Sequence, residues 1–172
     1  WGDGNLGYIT SLLIKKMLPD SKVYIFGVNR AKLNDFSFAD ETYLVADIPE
    51  GLTVNHAFEC VGGAASSKAI NQIIDYIIPE GTISILGVSE DPVPINTRMV
   101  LEKGLRIFGS SRSGRKDYEG LLELYKKNPD IPSYLENIIG THFVVHTIKD
   151  ITSAFETDIH KMIGKTVMIW DE

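Results

Sequence analysis

WGDGNLGYIT, residues 1–10, places three glycines at 2, 4 and 7, the spacing G-x-G-x-x-G. After a β-strand and before a helix, that spacing forms a phosphate-binding turn. Gly2 permits the tight turn, Gly4 lets a pyrophosphate approach the backbone, and Gly7 lets the helix pack closely. The helix N-terminus adds free N–H groups and a partial positive charge. A helix is expected at once. Leu6, Ile9, Leu12, Leu13 and Met17 recur at helical spacing over 5–18, and Pro19 ends the run. Taken alone, the motif is also met in generic Gly-rich turns. The strand that should precede it is represented only by Trp1, so a truncated first strand is expected.

Further along, short apolar runs alternate with helical patterns. Strands are expected at 22–27, 41–45, 54–62, 82–88, 105–111, 142–147 and 165–170. Helices are expected at 65–78, 99–103, 118–127 and 150–160, with Pro79-Glu80-Gly81 breaking the first of these. Strand-helix alternation implies a parallel α/β sheet with right-handed crossovers. Strands apolar on both faces imply helices on both sides. The expected architecture is a Rossmann-type doubly wound parallel sheet.

Composition narrows the classes. The 172 residues carry 44% hydrophobic and 23% charged residues and a net charge of −6. That suits one ordinary domain, or one with a piece of another, and makes nucleic acid a poor partner. No apolar run is long enough to span a bilayer, and no signal peptide is visible. The single cysteine, Cys60, excludes an internal disulfide and a cysteine-rich zinc site. A cytoplasmic setting is the expectation.

The second strand's end bears on which nucleotide is bound. NAD-binding folds place Asp or Glu there for the ribose hydroxyls. Here the run is IFGVNRAK (25–32), with Asn29, Arg30 and Lys32 and no carboxylate before Asp35. Arg30 can pair with a 2′-phosphate that an acid would repel. It can equally be a solvated residue at a helix start. The reading adopted is NADP(H). S-adenosylmethionine enzymes share the glycine loop but also favour an acid at this point.

GDGNLGYI (2–9), FECVGG (58–63), IIPEGTISILGV (77–88), INTRMVLEKGL (95–105), FGSSRSGRKD (108–117) and GKTVMIW (164–170) together resemble the nucleotide-binding half of the medium-chain, zinc-type alcohol dehydrogenases. Within that family they look most like the bacterial ribulose-5-phosphate reductases, or ribitol-5-phosphate dehydrogenases, of teichoic-acid synthesis. The resemblance implies hydride transfer from NADPH to D-ribulose 5-phosphate, giving D-ribitol 5-phosphate. It implies a homodimer joined along 105–109, and a cytidylyltransferase of the same pathway as a partner. It implies zinc and its ligands in a catalytic domain outside this chain. No catalytic or metal-binding residue is therefore assigned here, and the isolated chain is expected to be inactive. Residues 1–140 become the cofactor domain, and 141–172 a segment returning to the catalytic domain.

The same resemblance assigns cofactor contacts. Gly4, Asn5, Leu6 and Gly7 match the pyrophosphate loop, joining Gly2 of the motif. Asn29, Arg30 and Lys32 match the adenosine-ribose end. Cys60, Val61 and Gly62 match the nicotinamide-side ribose turn. Gly87, Val88 and Ser89 match the carboxamide contacts, as do Gly109 and Ser110 after the following strand. Alternatives are a dehydrogenase of another polyol and a stand-alone nucleotide-sensing or oligomerisation module.

Three further features have competing readings. Cys60, ending an apolar strand, reads as a small packed residue rather than a nucleophile. His142 and His146 lie in HFVVHT, whose β-branched and aromatic content predicts a strand. Strand spacing then parts them by roughly 13 Å, too far to share an ion. Arg112, Arg115 and Lys116 form the densest basic cluster. It is either a solvated loop before a helix or a seat for the substrate's 5-phosphate.

Overall fold

The computed structural model describes residues 1–160 and 164–170. It forms two compact units, Trp1–Gly120 and Leu121–Glu172, each taken by itself. The first holds α1 (Asn5–Met17), β1 (Tyr24–Gly27), α2 (Arg30–Leu33), β2 (Glu41–Leu44), β3 (Val54–Glu59), α3 (Ser66–Tyr76), β4 (Ile77–Ile85), α4 (Thr97–Lys103) and β5 (Arg106–Gly109). Helix α5 (Arg115–Lys127) follows, and then, in the second unit, α6 (Ile131–Glu136), β6 (Ile139–Val145), α7 (Ile148–His160) and β7 (Lys165–Trp170). All strand pairs are parallel: β1 with β2, β3 with β4, β4 with β5, and β6 with β7.

The expected α/β architecture is present, with one feature at its centre. β1 and β3 are not paired with each other. Trp1 and Gly2 lie between them. The Trp1 amino group donates to the Phe58 carbonyl at 2.8 Å, and the Trp1 carbonyl accepts from the Cys60 N–H at 2.8 Å. The Gly2 N–H donates to the Phe26 carbonyl at 2.9 Å. Two residues thus bridge the sheets in the order β2-β1-bridge-β3-β4-β5. Beside the bridge a cleft of about 480 Å³ separates Val23–Phe26 from Thr53–Phe58, with Thr10, Ser11 and Ile14 of α1 also lining it.

Packing explains why these segments hold. α3 buries Ala69, Ile70, Ile73 and Ile74 in one cluster with Trp1, Phe26, Ala57, Ile77 and Ile83. Full burial of one such isoleucine is worth about 1.5–3 kcal/mol. The Trp1 ring stacks on Phe26 with centroids 3.9 Å apart, and its Nε1 donates to Gln72 at 2.9 Å. Alternation puts Ile25 on the opposite face of β1, and it too is buried, so that strand is covered on both sides. α1 contributes buried Tyr8 and Leu12, with Tyr8 edge-on to Phe36 and Phe38.

Two local expectations are corrected. The third helix ends at Tyr76 rather than Ile78, and β4 starts at Ile77, with no intervening loop. Val54 pairs with Ile77 and His56 with Thr82, so Pro79-Glu80-Gly81 is an irregularity within a strand. Pro79 has no N–H to give the ladder, and Glu80 takes a left-handed φ of 61°. The end of α3 is closed instead by Lys103, whose Nζ donates to the carbonyls of Ile74 (2.6 Å), Asp75 (3.1 Å) and Ile77 (2.9 Å). Helix α6 was not expected. It spans only 6 residues, too few for a periodic signal.

In the second unit β6 includes His142, and His146 follows it, as the strand reading requires. Asp150 caps α7, accepting from the N–H of His146 (3.0 Å) and of Thr147 (2.8 Å). Those bonds hold its carboxyl below the usual range.

Asp40 ties three elements of the first unit together. It accepts from Lys15 Nζ at 2.8 Å and from the Val23 N–H at 2.7 Å. The Lys15 bond first, then the Val23 bond, holds its carboxyl below the usual range. A carboxyl depressed in the folded state stabilises above its unfolded pKa and loses that effect as pH falls through the folded value. Asp40→Asn is therefore expected to lower Tm by about 1–3 °C at pH 7. The gap should narrow in melts below about pH 4 and vanish once the native carboxyl is protonated.

Candidate functional site

The glycine loop is built by close approach. Gly2 has φ +122°, and a Cβ there would lie 2.8 Å from the Cys60 carbonyl oxygen. A Cβ on Gly7 would stand 2.0 Å from the Gly2 carbonyl oxygen. Gly7 therefore lets α1 close on the loop itself. Gly4 differs, because a Cβ there would have nothing within 4 Å. Gly4 is the N-cap of α1, without a capping side chain, and the first turn carries no acid. Among the described residues no steric contact requires glycine at this position.

A carboxylate missed in the sequence sits within the motif. Asp3 accepts from the backbone N–H groups of Val28 and Asn29, both at 2.8 Å. This joins the glycine loop to the end of β1. Gly27 makes the contact possible, since a Cβ there would lie 2.6 Å from the Asp3 Cβ. Asn29 uses its Oδ1 to cap α2, accepting from Ala31 (2.9 Å) and Lys32 (3.3 Å). Its carboxamide oxygen is thus already engaged. Arg30 is exposed and forms no ion pair among the described residues.

After β3 and β4, two loops meet. The Gly63 N–H donates to the Val88 carbonyl at 2.7 Å, and Ser89 Oγ donates to the Gly63 carbonyl at 3.1 Å. Gly62 has φ +69°, and a Cβ there would lie 2.6 Å from the Val88 carbonyl oxygen. Val61 and Val88 keep exposed apolar side chains. Glu59, also missed in the sequence, lies fully buried beneath both loops. Cys60 is buried, and burial pushes its thiol pKa up, which suits a packed residue rather than a nucleophile.

Gly109, which ends β5, and Ser110 and Arg112 after it are exposed, and Arg112 has φ 69°. Arg115 lies in the first turn of α5, with Nε 2.6 Å from Glu119. Lys116 is exposed beside it. The sequence-nominated positions thus sit at the glycine loop and at or just past the carboxyl ends of β1, β3, β4 and β5. In an open parallel sheet that edge is where ligands bind. Direct contacts join the first four groups: Asp3 to Val28 and Asn29, Gly2 to Cys60, and Gly63 to Val88. Among the described residues no group of three His, Cys, Asp or Glu side chains is placed to hold a metal ion.

A family model described as zinc-binding dehydrogenase matches residues 25–127. The chain is 56% identical over 170 residues to ribulose-5-phosphate reductase 1 of Staphylococcus aureus, covering 99% of this chain and 50% of that protein. It is 53% identical over 171 residues to the ribulose-5-phosphate reductase of Bacillus spizizenii, with the same coverage of each. It spans about half the length of these curated relatives. Among solved structures, S. aureus TarJ in complex with NADPH superposes with a TM-score of 0.97 at 56% identity, covering 100% of this chain and 54% of that one. The alcohol dehydrogenase rspB of E. coli reaches a TM-score of 0.78 at 15% identity, over 99% of this chain and 50% of that one, which speaks for the Rossmann-type fold alone.

The two glycines of the loop should respond differently to a methyl group. Gly7→Ala is expected to lower Tm strongly, because its Cβ meets backbone at 2.0 Å. Gly4→Ala should cost no more than a poorer N-cap, about 1 kcal/mol or less. Thermal melts of both variants check this, and similar losses would contradict it.

Proposed function

The chain belongs to the zinc-binding dehydrogenase family, and we propose that it is the cofactor-binding part of an NADPH-dependent reductase converting D-ribulose 5-phosphate to D-ribitol 5-phosphate. The observation that carries the cofactor assignment is Gly4. No contact among the described residues demands glycine there, beyond its use as an N-cap, and a ligand's approach would account for it. The uncapped start of α1 supplies N–H groups and positive potential for a pyrophosphate.

In this reading Gly2 and Gly4 to Gly7 hold the pyrophosphate. Asn29, Arg30 and Lys32 take the adenosine end, with Arg30 on the 2′-phosphate. Cys60 to Gly62, Gly87 to Ser89, Gly109 and Ser110 line the nicotinamide half. When bound, the dihydronicotinamide supplies the hydride for a ketone. The substrate class rests on the likeness to the ribulose-5-phosphate reductases. Arg112, exposed and without an ion pair among the described residues, suits a phosphate better than Arg115, which is engaged by Glu119. Zinc would be held by residues other than those of this chain.

Further parts of the proposal concern assembly. β5 pairs only with β4 among the described strands and exposes Phe108, which supports a homodimer formed along that edge. Residues 1–140 serve as the cofactor domain, and 141–172 pack with the catalytic domain. A cytoplasmic enzyme working beside a cytidylyltransferase completes the picture. No helix among the described residues is long and apolar enough to cross a membrane.

Calorimetric titration with NADPH and NADH tests the cofactor assignment. NADPH should bind at least tenfold more tightly than NADH. Arg30→Ala should weaken NADPH by about 10- to 150-fold, the worth of one charge-assisted contact, and leave NADH within twofold. Equal losses for the two cofactors would remove Arg30 from the 2′-phosphate site.

A further inference from the structure

Glu59 ends β3 with its side chain fully buried. No lysine or arginine pairs with it among the described residues. Its partners are three backbone N–H groups. Oε1 accepts from Val61 at 2.9 Å and Gly62 at 2.8 Å, and Oε2 accepts from Gly87 at 3.2 Å. Its own carbonyl accepts from Leu86 at 2.9 Å and Gly87 at 3.0 Å. One residue therefore holds the first turns of two separate loops. The loops leave room for little else, since a Cβ on Gly87 would lie 2.8 Å from both carboxylate oxygens and 2.3 Å from the Gly62 nitrogen.

Burying a carboxylate without a cation is costly unless its oxygens are hydrogen-bonded. A strand end that needed only packing would do better with an apolar residue. The three N–H groups belong to Val61, Gly62 and Gly87, so the carboxylate sets the course of the backbone on which the nicotinamide half would lie. We propose that Glu59 is a positioning residue for the nicotinamide half of the cofactor, locking 60–63 and 86–89 into one wall through its contacts with three backbone N–H groups. The inference rests on the cofactor reading above. It predicts a defect confined to one end of the ligand. Glu59→Gln keeps the shape, but either orientation of the amide sets an NH2 group against at least one backbone N–H.

The test uses the full chain and two probes, NADPH and adenosine 2′,5′-bisphosphate, which lacks the nicotinamide half. Glu59→Gln should weaken NADPH at least tenfold and leave adenosine 2′,5′-bisphosphate within twofold of wild type. Parallel loss of both probes would mean general damage to the fold and overturn the positioning role. No change in either would overturn it as well. Wild-type protein that binds neither probe would bring down the cofactor reading, and this inference with it. Should Glu59→Gln lose its far-UV circular dichroism, the same titrations on Glu59→Asp decide, because a carboxylate one methylene shorter cannot reach all three N–H groups. The same split would support the role, and parallel loss would overturn it.

Discussion

The first unit depends on the close approach of backbone to backbone at Gly2. Its N–H bonds to Phe26 of β1, its Cα faces the Cys60 carbonyl, and its own carbonyl is covered by Gly7 of α1. Trp1 bonds to Phe58 and Cys60 on the other side. Two sheets and a helix therefore meet within two residues. Any side chain at Gly2 or Gly7 occupies space already filled by backbone, which side-chain repacking cannot relieve. The G-x-G-x-x-G spacing is in this respect a packing requirement first. Only Gly4 meets no such neighbour among the described residues.

Two acids extend the arrangement from that point. Asp3 carries the glycine loop to the end of β1, and Glu59 carries the end of β3 to the loop after β4. Both act only on backbone N–H groups of loops that would otherwise have to find partners in water. A loop held by a carboxylate beneath it presents a fixed outer surface, because its inward-facing donors are satisfied. The edge of the sheet is thus shaped from below by side chains that need not touch a ligand.

Much of this was legible in the sequence. The alternation of strands and helices, the glycine spacing and the amphipathic run 65–78 are local signals, and the structure has elements at each, with the helix stopping at Tyr76. Pro79-Glu80-Gly81 misleads because its residue types signal the end of a helix at 78, whereas it interrupts a strand whose first residue, Ile77, already pairs with Val54. Helix α6 was too short to show a period. Asp3 and Glu59 were missed for different reasons. Asp3 occupies a variable position of the motif, where spacing alone carries no information. Glu59 did leave a signal, a lone acid in the apolar run AFEC (57–60), and a buried carboxylate must have partners. Those partners come from residues up to 28 positions away, a distance that no local pattern reports.

The distinction between spent and unspent groups is what gives the candidate site its meaning. A ligand can be recognised only by donors, acceptors and charges that the fold has not already used, since displacing an internal bond leaves its partner unsatisfied. Asp3, Glu59 and the Asn29 carboxamide oxygen are spent on backbone, and Arg115 is engaged with Glu119. Among the described residues, no side chain caps the start of α1, no acid pairs with the guanidinium of Arg30, and a Cβ on Gly4 would meet nothing within 4 Å. In the proposed reading, donors and positive charge at the carboxyl edge of a parallel sheet suit an anionic ligand that reaches from the glycine loop to Arg30. A dinucleotide with a phosphate on its adenosine ribose has that shape and charge. S-adenosylmethionine, with a cationic sulfonium and no phosphate, would leave the uncapped helix and Arg30 without a counter-charge.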